Sequence, residues 1–235
     1  MIVLDKIEIG HASVLFTIDN LQLEQGEMYA LIGANGSGKT TFLQSITGVY
    51  SPLKGQIMID GTSISKFNRI DKAKMISFVG STFDGVEYLK VKDYLALGRT
   101  PHTNILGRLN ATDFIVINDT IKLLHLESLQ EKYTKELSDG ERQLAAIARA
   151  IIQETKIIIL DEPTAFLDYA NRQKVMELMK KISKELNKCV IVSSHDIELC
   201  LESEIDLLVV HRIERKLRLC KANLLTKTEL ISIGF

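Results

Sequence analysis

The chain has no charge excess, no long apolar run, no proline-rich linker and few cysteines. Lys plus Arg number 29 and Asp plus Glu 30, a formal net charge of −1. That balance argues against binding nucleic acid through bulk positive charge. Purely apolar stretches such as Ile157–Leu160 and residues 207–210 fall far short of the roughly 18 to 20 residues that a membrane span needs. The opening MIVLDKIEIG has no basic region followed by an apolar core, so no secretory signal is expected. Three cysteines, Cys189, Cys200 and Cys220, are odd in number and lack metal-ligand spacing. They read as reduced thiols of a cytosolic protein rather than a disulfide framework. Repeats and low-complexity tracts are missing too. What is present is 235 residues, 46% apolar and 25% charged. That is the composition of a folded globular chain with one or two domains and a sizeable core.

Along the chain, strand-like segments come first, at residues 2–9, 14–23 and 28–32, the last after the turn Gln25-Gly26-Glu27. A glycine-rich run and a helical composition over 39–48 follow, then a short strand at 56–59 closed by Asp60-Gly61. From about residue 83 to 153 the pattern turns mostly helical. Phe114, Ile117, Ile121 and Leu124 fall at spacings of three and four, which predicts one buried helix face. Apolar β-type runs return at 157–160, 190–192 and 207–210, separated by helical segments. Short apolar runs alternating with helices predict buried parallel strands in an α/β core, with the middle helices inserted into it.

Two segments carry chemistry. Gly33-Ala34-Asn35-Gly36-Ser37-Gly38-Lys39-Thr40 fits G-x-x-x-x-G-K-[ST] between an expected strand and an expected helix. Glycines let successive N–H groups curl toward one anion, assisted by the helix N-terminus. Lys39 reaches β- and γ-phosphates, and the Thr40 hydroxyl suits Mg²⁺. The plain alternative is a flexible glycine-rich turn, which the flanking strand and helix disfavour. The second segment, Ile157–Leu160 followed by Asp161-Glu162, is a buried strand delivering acids at its C-terminal end, where open α/β sheets bind ligands. Asp161 is expected to hold the Mg²⁺ through water, and Glu162 to orient or deprotonate an attacking water. Asp-Glu-Pro alone is often a surface turn; beside a phosphate loop the functional reading wins. Ser194-His195-Asp196 is not a nucleophilic triad, because neighbours in sequence cannot line up on one another.

Leu137-Ser138-Asp139-Gly140-Glu141-Arg142-Gln143, before a helix-like 144–153, resembles the LSGGQ signature of ABC transporter ATPases. The resemblance covers nearly the whole chain, with Walker A at 33–40, Walker B at 157–162, a D-loop at Ala165-Phe166-Leu167-Asp168 and a switch histidine, His195. It implies an α/β P-loop NTPase core of ABC-ATPase type with an N-terminal antiparallel β subdomain and an inserted helical subdomain. The chain would be one ABC ATPase domain, its core and β subdomain at about 1–82 and 156–235, its helices at about 83–155. Lys39, Glu162 and His195 are then the catalytic candidates. Gly33, Ala34, Asn35, Gly36, Ser37, Gly38, Lys39, Thr40, Thr41, Ser138, Gly140 and Asp168 are candidates for ATP, with His11 where the family places an adenine-stacking aromatic. Thr40, Asp161 and Ser81 are candidates for Mg²⁺.

The family further implies a head-to-tail dimer with two ATPs between the copies, Ser138 and Gly140 meeting the γ-phosphate held by the other copy. It also implies a membrane permease on a separate chain, a substrate-binding protein acting indirectly, no nucleic acid, and a place on the cytoplasmic face of the cell membrane. Residues 91–102, VKDYLALGRTPH, with Gly107-Arg108-Leu109, resemble importers of iron–siderophore, haem and vitamin B12. Two positions depart from the family. Gly80-Ser81 stands where a glutamine usually touches Mg²⁺, and Asp139 replaces the first signature glycine, bringing a carboxylate toward phosphate. Two alternatives stay open: a soluble ABC-type ATPase in iron–sulfur assembly or another non-transport process, and a catalytically inactive regulatory module, which Glu162 opposes.

Overall fold

The computed structural model describes residues 1–165 and 167–224. Residues 225–235, the end of the expected core, lie outside them. In chain order come β1 (Ile2–Gly10), β2 (Val14–Leu23), β3 (Met28–Ile32), α1 (Lys39–Ile46), β4 (Lys54–Ile59) and β5 (Thr62–Ser63). Then follow α2 (Arg69–Met75), β6 (Ile76–Val79), α3 (Val91–Ala96), α4 (Ala111–Leu123), α5 (Asp139–Ile152) and β7 (Ile157–Leu160). After these come α6 (Tyr169–Glu185), β8 (Cys189–Ser193), α7 (Ile197–Glu202), β9 (Asp206–His211) and β10 (Lys216–Cys220), with a 3-10 turn at Ala222–Leu224.

The strands form one ten-stranded sheet in the order β5-β4-β1-β2-β10-β9-β3-β8-β7-β6. Its β9-β3-β8-β7-β6 half is parallel, whereas β5, β4, β1 and β2 form an antiparallel wing. The short apolar runs are indeed the parallel strands. Every residue of β3, β7 and β8 is buried, because helices cover both faces. Alternation within β3 divides the core: Met28, Ala30 and Ile32 join α5 and α6 on one face. Tyr29 and Leu31 join Phe42, Leu43 and Ile46 of α1 on the other.

Residues 83–153 are mostly helical as expected, with α5 packed on α3, α4 and β6. Helix α5 begins five residues before the expected 144 because Ser138 caps it: the Glu141 N–H donates to Ser138 Oγ (3.2 Å) and the Ser138 N–H to Glu141 Oε2 (2.8 Å). The expected face of α4 needs one correction. Ile117, Ile121 and Leu124 are buried, but Phe114 is 53% exposed. Asp113 is turned inward to meet Arg99, and at about 100° per residue this rotates Phe114 to the edge of the buried face.

Arg99 also explains part of the 91–102 motif. Its guanidinium is buried and donates to Asp113 Oδ1 (2.7 Å), the Ile152 carbonyl (2.8 Å) and Glu154 Oε2 (2.6 Å). Gly98 lies so close to α5 that an added Cβ would stand 2.6 Å from the Arg149 carbonyl. This knot fastens the 3-10 turn Leu97–His102 to the end of α5.

Candidate functional site

The parallel half of the sheet delivers its polar residues at one edge. Strand β3 runs directly into the loop 33–38, whose Ser37 N–H closes a turn on the Ala34 carbonyl (3.1 Å). Gly38 sits at φ 101°, which favours glycine, and a Cβ there would press on Leu15 at 2.9 Å. The loop thus hands its backbone into α1 with Lys39 as the first helical residue. Lys39 is buried, and its Nζ donates to the loop's own Gly33 carbonyl (2.8 Å) and Ala34 carbonyl (3.4 Å). Burial pulls its ammonium below the ordinary lysine range, with Glu162 and Asp161 opposing.

The two sequence elements meet at the next residue. Thr40 Oγ1 donates to Asp161 Oδ2 at 2.9 Å, joining residues 121 positions apart. The Asp161 N–H donates to the Val79 carbonyl (2.8 Å), which ties the ends of β6 and β7. Ser193, at the end of β8, donates to Asp161 Oδ1 (2.6 Å) and accepts the Glu162 N–H (2.8 Å). Glu162 adopts a positive φ of 51°, and its Oε1 lies 2.5 Å from His195 Nε2. A cavity of about 230 Å³ opens beside them, lined by Glu162, Thr164, Arg172, Ser194 and His195 among others. Asp196 stays out of line, as expected, because it caps α7 by accepting the Leu199 N–H (3.0 Å).

The other candidates lie in separate places. Exposed His11 meets the Tyr50 ring edge-on (4.7 Å, 84°), and its Nε2 is 3.5 Å from Thr41 Oγ1. Ser81 follows β6 by two residues and is half-buried. Asp168 caps α6, accepting the Asn171 N–H at 2.9 Å. Phe166 of the expected D-loop lies outside the described residues. Ser138 and Gly140 border a cavity of about 420 Å³ that Leu167 and Val175 also line. Asp139 is salt-bridged to Arg142.

Sequence reasoning missed several residues. Ser193 joins both acids, yet its only signal is a polar residue ending an apolar strand. Tyr50 carries no spacing signal, and the grip of Arg142 on the Leu137 carbonyl shows in no pattern of the sequence. His211, Arg212 and Arg215 converge from the β9–β10 hairpin on a cavity of about 330 Å³ that Asn35 and Ser37 also line.

Residues 16–165 match the ABC transporter family. The chain belongs to that family. Its fold is the mixed α/β fold of ABC cassettes, and family membership makes it an ATP-binding ATPase. It is 36% identical to the petrobactin import ATP-binding protein FpuC of Bacillus anthracis, over 90% of this chain and 78% of that one. It is 33% identical to the achromobactin transport ATP-binding protein CbrD of Dickeya dadantii, over 88% and 77%. Among solved structures, a proposed metal-chelate type ABC transporter in an inward-facing conformation superposes with a TM-score of 0.84. That match is at 28% identity and covers 99% of this chain and 87% of that one. The dimeric ATP-binding cassette MJ0796 bound to ADP and Pi gives 0.79 at 26% identity, over 94% and 99%. Among the described residues, no helix is long and apolar enough to cross a membrane.

Proposed function

We propose that this ABC ATPase powers an importer of a metal chelate, with an iron–siderophore complex as cargo rather than haem or cobalamin. Relatives named for petrobactin and achromobactin transport support the cargo class, together with the 91–102 segment. The ATPase would work on the cytoplasmic face of the membrane, docked to a permease carried on another chain and served indirectly by a substrate-binding protein. Its domain would divide as the resemblance implies, with the helices of about 83–155 inserted into the core.

The observation that carries the catalytic reading is the continuous chain from Thr40 through Asp161 and Ser193 to Glu162 and His195. The Thr40 hydroxyl and the Asp161 carboxylate are hard oxygen donors 2.9 Å apart, a donor pair that suits Mg²⁺. Bound there, the ion would neutralise phosphate charge. Lys39 would exchange its loop carbonyls for the β- and γ-phosphates of ATP. Glu162 would take the proton of the attacking water as its oxygen closes on the γ-phosphorus and the bond to the β-phosphate oxygen breaks. His195 would hold the Glu162 carboxylate until ATP enters, then turn to the γ-phosphate. His11, braced by Tyr50, would present its ring face to adenine. Ser81 would approach the metal through a water, being too short to replace a glutamine. Ser138 and Gly140 would complete the site of a second copy, with Asp168 facing the same interface.

Two variants test this reading. Lys39→Ala removes the cation set at the loop and should abolish or severely weaken Mg-ATP binding in calorimetry; unchanged affinity would refute the site. Glu162→Gln should bind ATP without turning it over and sediment as a dimer in its presence. A strictly monomeric variant at micromolar concentration would refute the sandwich.

A further inference from the structure

We propose that Arg142 is a positioning residue for the ATP sandwich: it holds the Asp139 carboxylate off the γ-phosphate carried by the opposing copy. This inference rests on the dimeric reading above. The start of α5 attracts an anion through its open N–H groups and its dipole. Its first turn nevertheless carries two carboxylates, Asp139 and Glu141, whose charge opposes an incoming phosphate. Both are tied back within the chain. Glu141 accepts the Ser138 N–H (2.8 Å) through Oε2, and its Oε1 lies 3.5 Å from Lys132 Nζ. Asp139 Oδ1 accepts from Arg142 Nη2, while Arg142 Nη1 donates to the Leu137 carbonyl at 2.6 Å.

The guanidinium therefore straddles the signature turn, gripping the residue on each side of Ser138. Its side chain is 19% exposed and that of Asp139 is 63% exposed. The arginine is the anchored partner and the carboxylate the movable one. Ser138 Oγ meanwhile accepts the Glu141 N–H, which leaves its hydroxyl proton free to donate outward. With Arg142 in place, this face offers an unopposed hydroxyl and free N–H groups. Without it, the Asp139 anion swings freely at the same spot.

The test is the ATP concentration that half-saturates dimer formation, read by sedimentation velocity in the Glu162→Gln background. Arg142→Ala should raise it at least about fivefold, as one released like charge per site would. Arg142→Lys, which keeps a cation, should recover part of the loss. Combining Arg142→Ala with Asp139→Gly should return it to within about twofold of the starting value. An unchanged midpoint in Arg142→Ala overturns the inference. So does a double variant as weak as Arg142→Ala, because the arginine would then act through ATP, the partner or the fold. If Glu162→Gln itself never dimerises with ATP, the sandwich reading fails and this inference falls with it. Dimerisation that ignores Arg142 removes this inference alone.

Discussion

At the ends of β7 and β8, hydrogen bonds join Thr40, Asp161, Ser193, Glu162 and His195 across 31 to 121 positions of sequence. At the start of α5, Leu137, Ser138, Asp139, Glu141 and Arg142 are joined by bonds spanning three to five positions. The first cluster exists only once β3, β7 and β8 have paired, so it is a product of the folded sheet. The second is a helix cap and forms with one turn of backbone. The first already gathers an acid pair, two hydroxyls and a histidine within one chain, with Lys39 next to Thr40 in sequence. The second satisfies itself locally, and in the proposed sandwich its outward groups face a second copy. If the proposed sandwich forms, the chain is self-sufficient at the acids and needs a second copy only to use its signature.

The largest effect should come from the long-range cluster. Glu162→Gln removes the proposed general base, a loss of about 10²- to 10⁴-fold in phosphate release with ATP binding retained. Activity within tenfold of the parent would place the chemistry elsewhere and break the comparison.

Next comes the knot that holds the far end of α5. Arg99 and Asp113 are 5% and 1% exposed, so Arg99→Ala strands a buried carboxylate and should cost about 3–5 kcal/mol in urea unfolding. A cost below about 1 kcal/mol would show that α5 is not fastened there. The Asn110 N–H, and then Arg99, hold the Asp113 carboxyl below the usual aspartate range. A depressed folded-state pKa stabilises above the ordinary value and loses that stability as pH falls through the depressed one. Urea midpoints measured from pH 5 downward should therefore fall more steeply in the parent than in Asp113→Asn.

Smaller again, Ser193→Ala leaves Asp161 Oδ1 and the Glu162 N–H without this partner and should cost about 1–3 kcal/mol of stability, with lower turnover. Full activity and stability would reduce Ser193 to a bystander. Ser81→Ala should have the smallest effect: one water-mediated contact, about 0.5–1.5 kcal/mol, keeps turnover within about tenfold. Inactivity equal to Glu162→Gln would make the serine a direct metal or catalytic group.

The same contrast explains what could be read in advance. Lys39 and Thr40 were legible because the phosphate loop packs its chemistry into eight consecutive residues. Asp161 and Glu162 were legible because acids end an all-apolar strand. The parallel strands showed as apolar runs for the same reason of double-sided burial. His195 needed the family resemblance, since a histidine at a strand end has no spacing signature. Ser193 escaped because its meaning depends on β7 lying beside β8, a pairing that no local pattern states. Phe114 was misplaced because periodicity reports an apolar stripe but not the ion pair that turns Asp113 inward. Arg142 lay in plain sight at three residues from Asp139, yet only geometry shows that it also grips the Leu137 carbonyl.

The central claim is that the acid cluster is complete in one chain while the hydrolytic site is complete only when a second copy supplies its signature. Phosphate release per mole of protein, measured at saturating Mg-ATP over a hundredfold range of protein concentration, tests this directly. Specific activity should rise with concentration before levelling off. Specific activity that stays constant from the lowest concentration upward, with the chain sedimenting as a monomer throughout, would contradict it.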